Sequence, residues 1–258
     1  MDFIDSHAHV YLPQFHEDKD EIIERSLEQG VAQIFMPNID KTSIDDMMEL
    51  EQKYPGVCPA MMGLHPCSVD KDFQQQLYNV ENWINSREFA AIGEIGTDLY
   101  WDKSHWGQQQ EAFRIQLQWA KEKKWPAIIH CRESIKETIA IVEELNTDDL
   151  AGIFHCFTGS VEQARKITEM GFYLGIGGVS TFKSGGLEEV IIDTDLKFLV
   201  LETDSPYLAP VPYRGKRNEP SYLPIIAKRI SEIKDVDIGQ VAEVTSANCK
   251  QIFSNYAI

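Results

Sequence analysis

Five of the seven histidines in the chain close a short apolar run, and two carboxylates fall at the same kind of place. His7 and His9 end the first run, His65 the third, Glu94 the fourth, His130 the fifth and His155 the sixth, while Asp204 follows the eighth. Taken singly, each has a plain explanation. A histidine at a strand end is commonly a satisfied hydrogen-bonding group, Glu94 alone reads as a charge facing water, and Asp204 alone as a cap or turn residue. Their recurrence at one rim points instead to metal, because imidazole and carboxylate are the donors that borderline divalent ions take. Residues two apart on a strand share a face, so His7 and His9 can grip one ion. Glu94, from the middle of the series, can bridge to a second ion held by His130 and His155. Asp204 can complete the first site and accept a proton from water there. Such a set suits zinc, manganese, iron or nickel and serves magnesium less well. The expected cofactor is a pair of divalent metal ions, with zinc, manganese and magnesium left open.

The elements that would carry these residues recur regularly. Apolar, β-forming runs occupy 3–10, 31–39, 57–65, 89–95, 127–130, 152–156, 172–178 and 198–201. Amphipathic, helix-like segments cover 18–29, 43–54, 108–124, 134–145, 160–170, 220–233 and 238–253, several closed by glycine or proline. Near-continuous apolar strands alternating with helices imply parallel strands covered on the outside. Eight such units predict a (β/α)₈ TIM-type barrel, one α/β domain over 1–258, with its chemistry at the carboxyl ends of the strands. Neither a P-loop nor a dinucleotide fingerprint follows the first strand, which disfavours an open doubly wound sheet.

Charge narrows the substrate. With 24 basic and 41 acidic residues the net charge is −17, so long-range attraction will not hold nucleic acid or anionic lipid. A polyanion must be captured locally. Arg214, Lys216 and Arg217 crowd the segment after the eighth strand and could clamp phosphate, or form a solvated cluster. His65 and Arg132 face the mouth on the same placement, although Arg132 could instead pair with Glu133. Of the aromatic residues near strand ends, Trp101, Trp106, Phe157, Tyr207 and Tyr213 could stack an unpaired base or simply pack. Alternation sends Cys131 and Cys156 away from the mouth. The glycine-rich stretch 175–186 matches no nucleotide loop and is expected to let the seventh strand approach the metals without bulk. Ser205 lacks the elbow a serine nucleophile needs. Five cysteines without a C-x-x-C pair, and no export signal, predict reduced thiols in a cytoplasmic protein. No apolar run spans a bilayer, and nothing calls for an obligate protein partner.

The same residues carry a resemblance that runs essentially end to end. The segments FIDSHAH at 3–9, GLHP at 63–66, IGEIG at 92–96, IHCR at 129–132, FHCFTG at 154–159, LETDSPYLAP at 201–210 and RGKRNEP at 214–220 resemble the TatD family of metal-dependent deoxyribonucleases, within the amidohydrolase-type barrels. The last two segments are the specific ones. The resemblance implies metal ligands at His7, His9, Glu94, His130, His155 and Asp204, with Asp204 also activating water. It implies DNA as substrate, cleaved by exonuclease or repair-type activity, and the acidic surface, which disfavours long duplex contacts, narrows this to ends or single strands. Thr97 departs from the pattern, standing where the family usually has an apolar residue before Asp98. Two rival readings stay open: hydrolysis of an ester or amide on the same metals, as in amidohydrolases or aminoacyl-tRNA deacylation, and a barrel that merely binds metal or a partner.

Overall fold

The computed structural model describes residues 2–147 and 149–256. Its strands are β1 (Phe3–Asp5), β2 (Val31–Ile34), β3 (Met36–Pro37), β4 (Ala60–Met61), β5 (Ile92–Asp98), β6 (Ala127–Arg132), β7 (Gly152–Phe154), β8 (Tyr173–Ile176) and β9 (Leu199–Leu201). The α-helices are α1 (Lys19–Glu28), α2 (Ile44–Lys53), α3 (Phe73–Ser86), α4 (Trp106–Lys123), α5 (Ile135–Leu145), α6 (Val161–Glu169), α7 (Glu188–Asp193), α8 (Leu223–Lys234) and α9 (Ile238–Ile252). None of the helices among the described residues is long and apolar enough to cross a membrane.

Every ladder is parallel: β1 with β2, β3 with β4, and β5 through β9 in order. Backbone bonds join the three sheets. Phe35, between β2 and β3, donates its N–H to Asp5 O at 2.9 Å and so keeps β2 and β3 in one strand position. Gly93 donates to Met62 O at 3.0 Å between β4 and β5, and Ser6 to Leu201 O at 2.9 Å between β1 and β9. The result is the (β/α)₈ barrel that the alternation of runs and amphipathic segments predicts.

Alternation along the strands divides the core in two. Ile4, Phe35, Met61, Ala91, Ile128, Ile153 and Val200, one from each of seven strand positions, form a cluster with Cys249 and Phe253 at the end of α9. Their neighbours Phe3, Ile34, Met36, Ala60, Met62, Ala127, Ile129, Phe154, Leu199 and Leu201 belong to the larger cluster under the helices. A period of two therefore sends one set into the barrel and the other against the helical layer. The inner layer is closed by Phe253, whose ring stacks on Phe35 at 3.8 Å between centroids.

Several boundaries differ from the sequence reading. Most strands are shorter than the apolar runs, although β5 and β6 extend past the ends of theirs, and His7 and His9 lie beyond β1. They stay in register because Asp204 N–H donates to His7 O at 2.9 Å and His9 N–H to Ser205 O at 2.7 Å, continuing the seam with the segment after β9. Two helices, α3 and α7, fall outside the predicted segments. In α3 the buried residues Phe73, Leu77, Val80 and Ile84 do sit at helical spacing, but its N-terminus carries no side-chain cap to mark it.

Phe253 is fully buried inside the barrel floor. Phe253→Ala is expected to lower unfolding free energy by about 3–5 kcal/mol, the usual cost of a phenyl-sized cavity, read from urea denaturation. A change under about 1 kcal/mol would show that the floor is closed by other residues.

Candidate metal centre

Glu94 is 2% exposed, and its two carboxylate oxygens face different partners. Oε2 lies 3.3 Å from His7 Nε2 and 3.5 Å from His9 Nε2. Oε1 lies 2.8 Å from His155 Nε2, 2.9 Å from His130 Nδ1 and 3.3 Å from His65 Nε2. Asp204 Oδ1 approaches the first group, 3.8 Å from His7 Nε2 and 3.7 Å from His9 Nε2. Three sets of donors lie within 4.8 Å of one another: His7, His155 and Asp204; His7, His9 and Glu94; and His65, Glu94 and His130. The six residues read from the sequence as ligands thus converge, and His65 joins them.

The outer ring nitrogens decide where protons sit. Tyr11 donates its hydroxyl to Pro37 O and lies 2.9 Å from His9 Nδ1. With its proton committed, that oxygen accepts from Nδ1–H of His9, leaving the Nε2 lone pair facing Glu94. Asp98 Oδ2 lies 2.9 Å from His130 Nε2, which fixes the proton there and frees Nδ1. His65 is the reverse case: its Nδ1 accepts from Cys67 N–H at 3.0 Å, so the neutral ring carries its proton on Nε2 and donates inward. His9 and His130 are therefore set to ligate, and His65 to hydrogen-bond an anion.

The electrostatics agree with a cationic occupant. Burial, then neighbouring His155, drives His7 down to about 4, and burial with His7 drives His9 down to about 3, so both rings are neutral at pH 7. Burial alone would raise Glu94, but His65, His155 and His7 outweigh it and hold the carboxylate well below its usual range. Burial would likewise lower His155; Glu94 and Glu202 overcome that and push it well up. Burial lifts Asp204 to about 7, opposed by His155 and reinforced by Glu94 and Glu202. His7 Nδ1, His155 Nδ1 and Glu202 Oε2 are buried without a hydrogen-bond partner. Ring nitrogens of His7 and His9 standing 3.3 Å apart, both beside a carboxylate oxygen, form a donor set of the kind a divalent cation takes.

The family model for TatD-related DNase matches residues 4–254. The chain belongs to that family. It is 38% identical to the uncharacterized metal-dependent hydrolase YabD of Bacillus subtilis over 250 residues, covering 96% of this chain and 98% of that one. It is 32% identical to the 3'-5' ssDNA/RNA exonuclease TatD of Salmonella typhimurium, covering 93% and 94%. The crystal structure of YJJV, a TatD homolog from Escherichia coli K12, superposes with a TM-score of 0.92 at 27% identity, covering 98% of each chain.

Around the donors this TatD-family chain has a cleft of about 840 Å³, lined among others by His65, Trp101, Arg132, Tyr207, Arg214 and Lys216. The chain has eight arginines. Six are held by carboxylates: Arg25, Arg87, Arg114, Arg165, Arg217 and Arg229. Arg132 and Arg214 have no ion pair among the described residues, and both line the cleft. Each lies over an aromatic ring instead, Arg132 at 3.7 Å from Tyr100 and Arg214 at 4.3 Å from Phe182. Stacking leaves the guanidinium edge free for a phosphate or carboxylate.

Arg217 does not join this group. Its guanidinium grips both oxygens of Asp18, at 2.8 and 2.6 Å, donates to Gln14 O at 2.7 Å and lies over Phe15. Beside it Arg25 clasps Glu219 at 3.1 and 2.9 Å. Arg217 pins the loop that carries Arg214 and Lys216; it is bound by that ion pair before a substrate could reach it. Cys131 and Cys156 also differ from expectation, since both line the cleft. Cys156 lies past the end of β7 at φ +46°, where strand alternation no longer applies, and Cys131, next to Arg132 at the end of β6, is only partly buried.

Four supporting groups escaped the sequence reading: Asp98, Tyr11, Glu202 and Asp5. Asp98 and Glu202 had a visible signal, each a carboxylate within four residues of a candidate ligand on the same strand end. Asp5, buried and accepting from Thr203 and His7 N–H, had the same signal beside His7, whereas Tyr11 had none. Gly175 explains part of the glycine-rich stretch: a Cβ there would stand 2.1 Å from Glu202 Oε2. Thr97 satisfies its hydroxyl with Ser134 at 2.9 Å and Thr138 at 2.7 Å, leaving Glu94 undisturbed.

Asp98→Asn would present an N–H to His130 Nε2, moving the ring proton to Nδ1, where it blocks the lone pair. Metal affinity is expected to fall about 10–100-fold with circular dichroism unchanged, measured by competition with a chelator. Undiminished affinity would mean that His130 does not ligate through Nδ1.

Proposed function

We propose that this barrel, spanning 1–258, is a cytoplasmic two-metal phosphodiesterase acting on DNA at ends or single strands. The observation that carries it is the division of labour within Glu94, one oxygen towards His7 and His9, the other towards His130 and His155. His7, His9 and Asp204 would hold one divalent ion and His130 and His155 a second, with Glu94 within reach of both sets. A pair of divalent ions supplies Lewis acidity, brings the pKa of water towards ~7 and steadies both oxygens of an in-line displacement.

The chain's own residues do the rest. Asp204, half-buried with Oδ1 turned towards His7 and His9, would take the proton of the attacking water. His65 donates from Nε2 to a phosphoryl oxygen. Arg132, Arg214 and Lys216 orient the phosphate, which the net charge of −17 would otherwise repel. Two arginines left without carboxylate partners favour a phosphoryl substrate over hydrolysis of a small neutral ester or amide. The relative named a single-stranded DNA and RNA exonuclease supports the same reading.

Glu94→Gln is expected to cut kcat on single-stranded DNA by at least about a thousandfold and to strip bound metal, followed by nuclease assay and elemental analysis. Full turnover at unchanged metal content would refute the bridging role, and hydrolysis of misacylated tRNA without any cleavage of DNA would replace the substrate. Arg214→Ala combined with Lys216→Ala should raise KM on single-stranded DNA about tenfold and flatten the salt slope by about 0.7 for each phosphate no longer neutralised. An unchanged slope would place the phosphate elsewhere.

A further inference from the structure

We propose that Trp101 is the platform on which an unpaired base of the substrate stacks, so that this site selects strands by their exposed bases and not only by their phosphates. The inference rests on the phosphodiesterase reading for its substrate and on separate observations for its residue. Among the five aromatic residues near strand ends, three are taken up by the protein. Phe157 is 1% exposed, Tyr213 stacks on Tyr222 at 4.2 Å with the rings 4° apart, and Trp106 is half-buried at the start of α4. Tyr207 lines the cleft but packs its ring against His9, 6.3 Å away. Trp101 also lines the cleft and is 69% exposed, more than any other exposed large apolar residue described.

An indole exposed at the wall of the cleft offers a π-face on which an unpaired base can stack. Arg132 lies 5.5 Å from the Trp101 ring and 3.7 Å from Tyr100, without an ion pair among the described residues. An aromatic face beside an unpaired guanidinium fits a base joined to a phosphate: the ring takes the π-face, the guanidinium the anion. A purely apolar partner would leave that charge unmet.

The platform is also held in place. Asp98 Oδ1 accepts the N–H groups of Tyr100 at 2.8 Å and Trp101 at 3.0 Å, while Oδ2 faces His130. One carboxylate thus fixes the aromatic loop and a candidate ligand together, which sets the distance between stacked base and scissile phosphate.

The test compares two phosphorothioate-linked strands of equal length, which resist cleavage, one of thymidylate and one of abasic tetrahydrofuran residues. Binding to the metal-loaded protein is measured by titration calorimetry. The wild-type protein is expected to prefer the thymidylate strand by about tenfold, the scale of one stacked base. Trp101→Ala should collapse that ratio towards one, and Trp101→Phe should largely restore it, with the salt slope the same in all three proteins. A wild-type ratio near one, no measurable binding of the thymidylate strand, or a ratio unchanged in Trp101→Ala would each overturn the inference. Base-dependent binding without cleavage of ordinary DNA would sink the phosphodiesterase reading alone; cleavage with base-independent binding would sink this one alone.

Discussion

A carboxylate shut away from water and ringed by five imidazoles is the constraint to which the rest of the site answers. Burial alone would drive Glu94 to its neutral form, and an unpaired buried charge is among the costliest things a fold can contain. Here the surrounding rings keep it ionised, His65, His155 and His7 foremost. Because one carboxylate cannot hold five protons, the rings divide: His7 and His9 go neutral, while His155 and His130 are pushed up. The stacking of His7 on His155 at 3.8 Å adds to that division, since two protonated rings would repel face to face. Only a closed ring of strands brings these groups, from distant parts of the chain, to within one carboxylate's reach.

Around that centre, charge is distributed against the average. The surface is acidic overall, yet the two arginines at the cleft have no carboxylate partner among the described residues while the other six arginines are paired. Surface ion pairs contribute little to stability, so the pairing of the outer arginines matters less for folding than for where free positive charge remains. The Arg217–Asp18 and Arg25–Glu219 clasps also act mechanically: they tie the segment after β9 to α1 and so hold the exposed Arg214 and Lys216 over the site.

Much of this is legible in the sequence because two periodicities are written plainly. The alternating apolar runs predict the parallel barrel, and the placement of His7, His9, His65, Glu94, His130, His155 and Asp204 at run ends predicts their convergence. What the sequence hides is pairing. Nothing in the spacing of Arg214, Lys216 and Arg217 distinguishes the last, because its partner Asp18 lies far away along the chain. Cys156 departs from expectation because alternation stops with the strand, and a left-handed residue turns the side chain. Tyr11 sets the proton on His9 from two residues along the chain and Asp98 sets that on His130 from the neighbouring strand, roles that residue type and spacing alone do not assign.

The floor of the barrel has a consequence for how the protein is made. Phe253, which stacks on Phe35, follows α9, so the inner face of the first strands has no lid until the chain has been made as far as that residue. A nascent chain that has already paired β1 with β2 still exposes Ile4 and Phe35 to solvent, and closure awaits the longest loops the topology offers. A stalled or truncated translation product lacking α9 would therefore present a ring of aliphatic side chains to chaperones and proteases, though every metal-facing residue had already been synthesised.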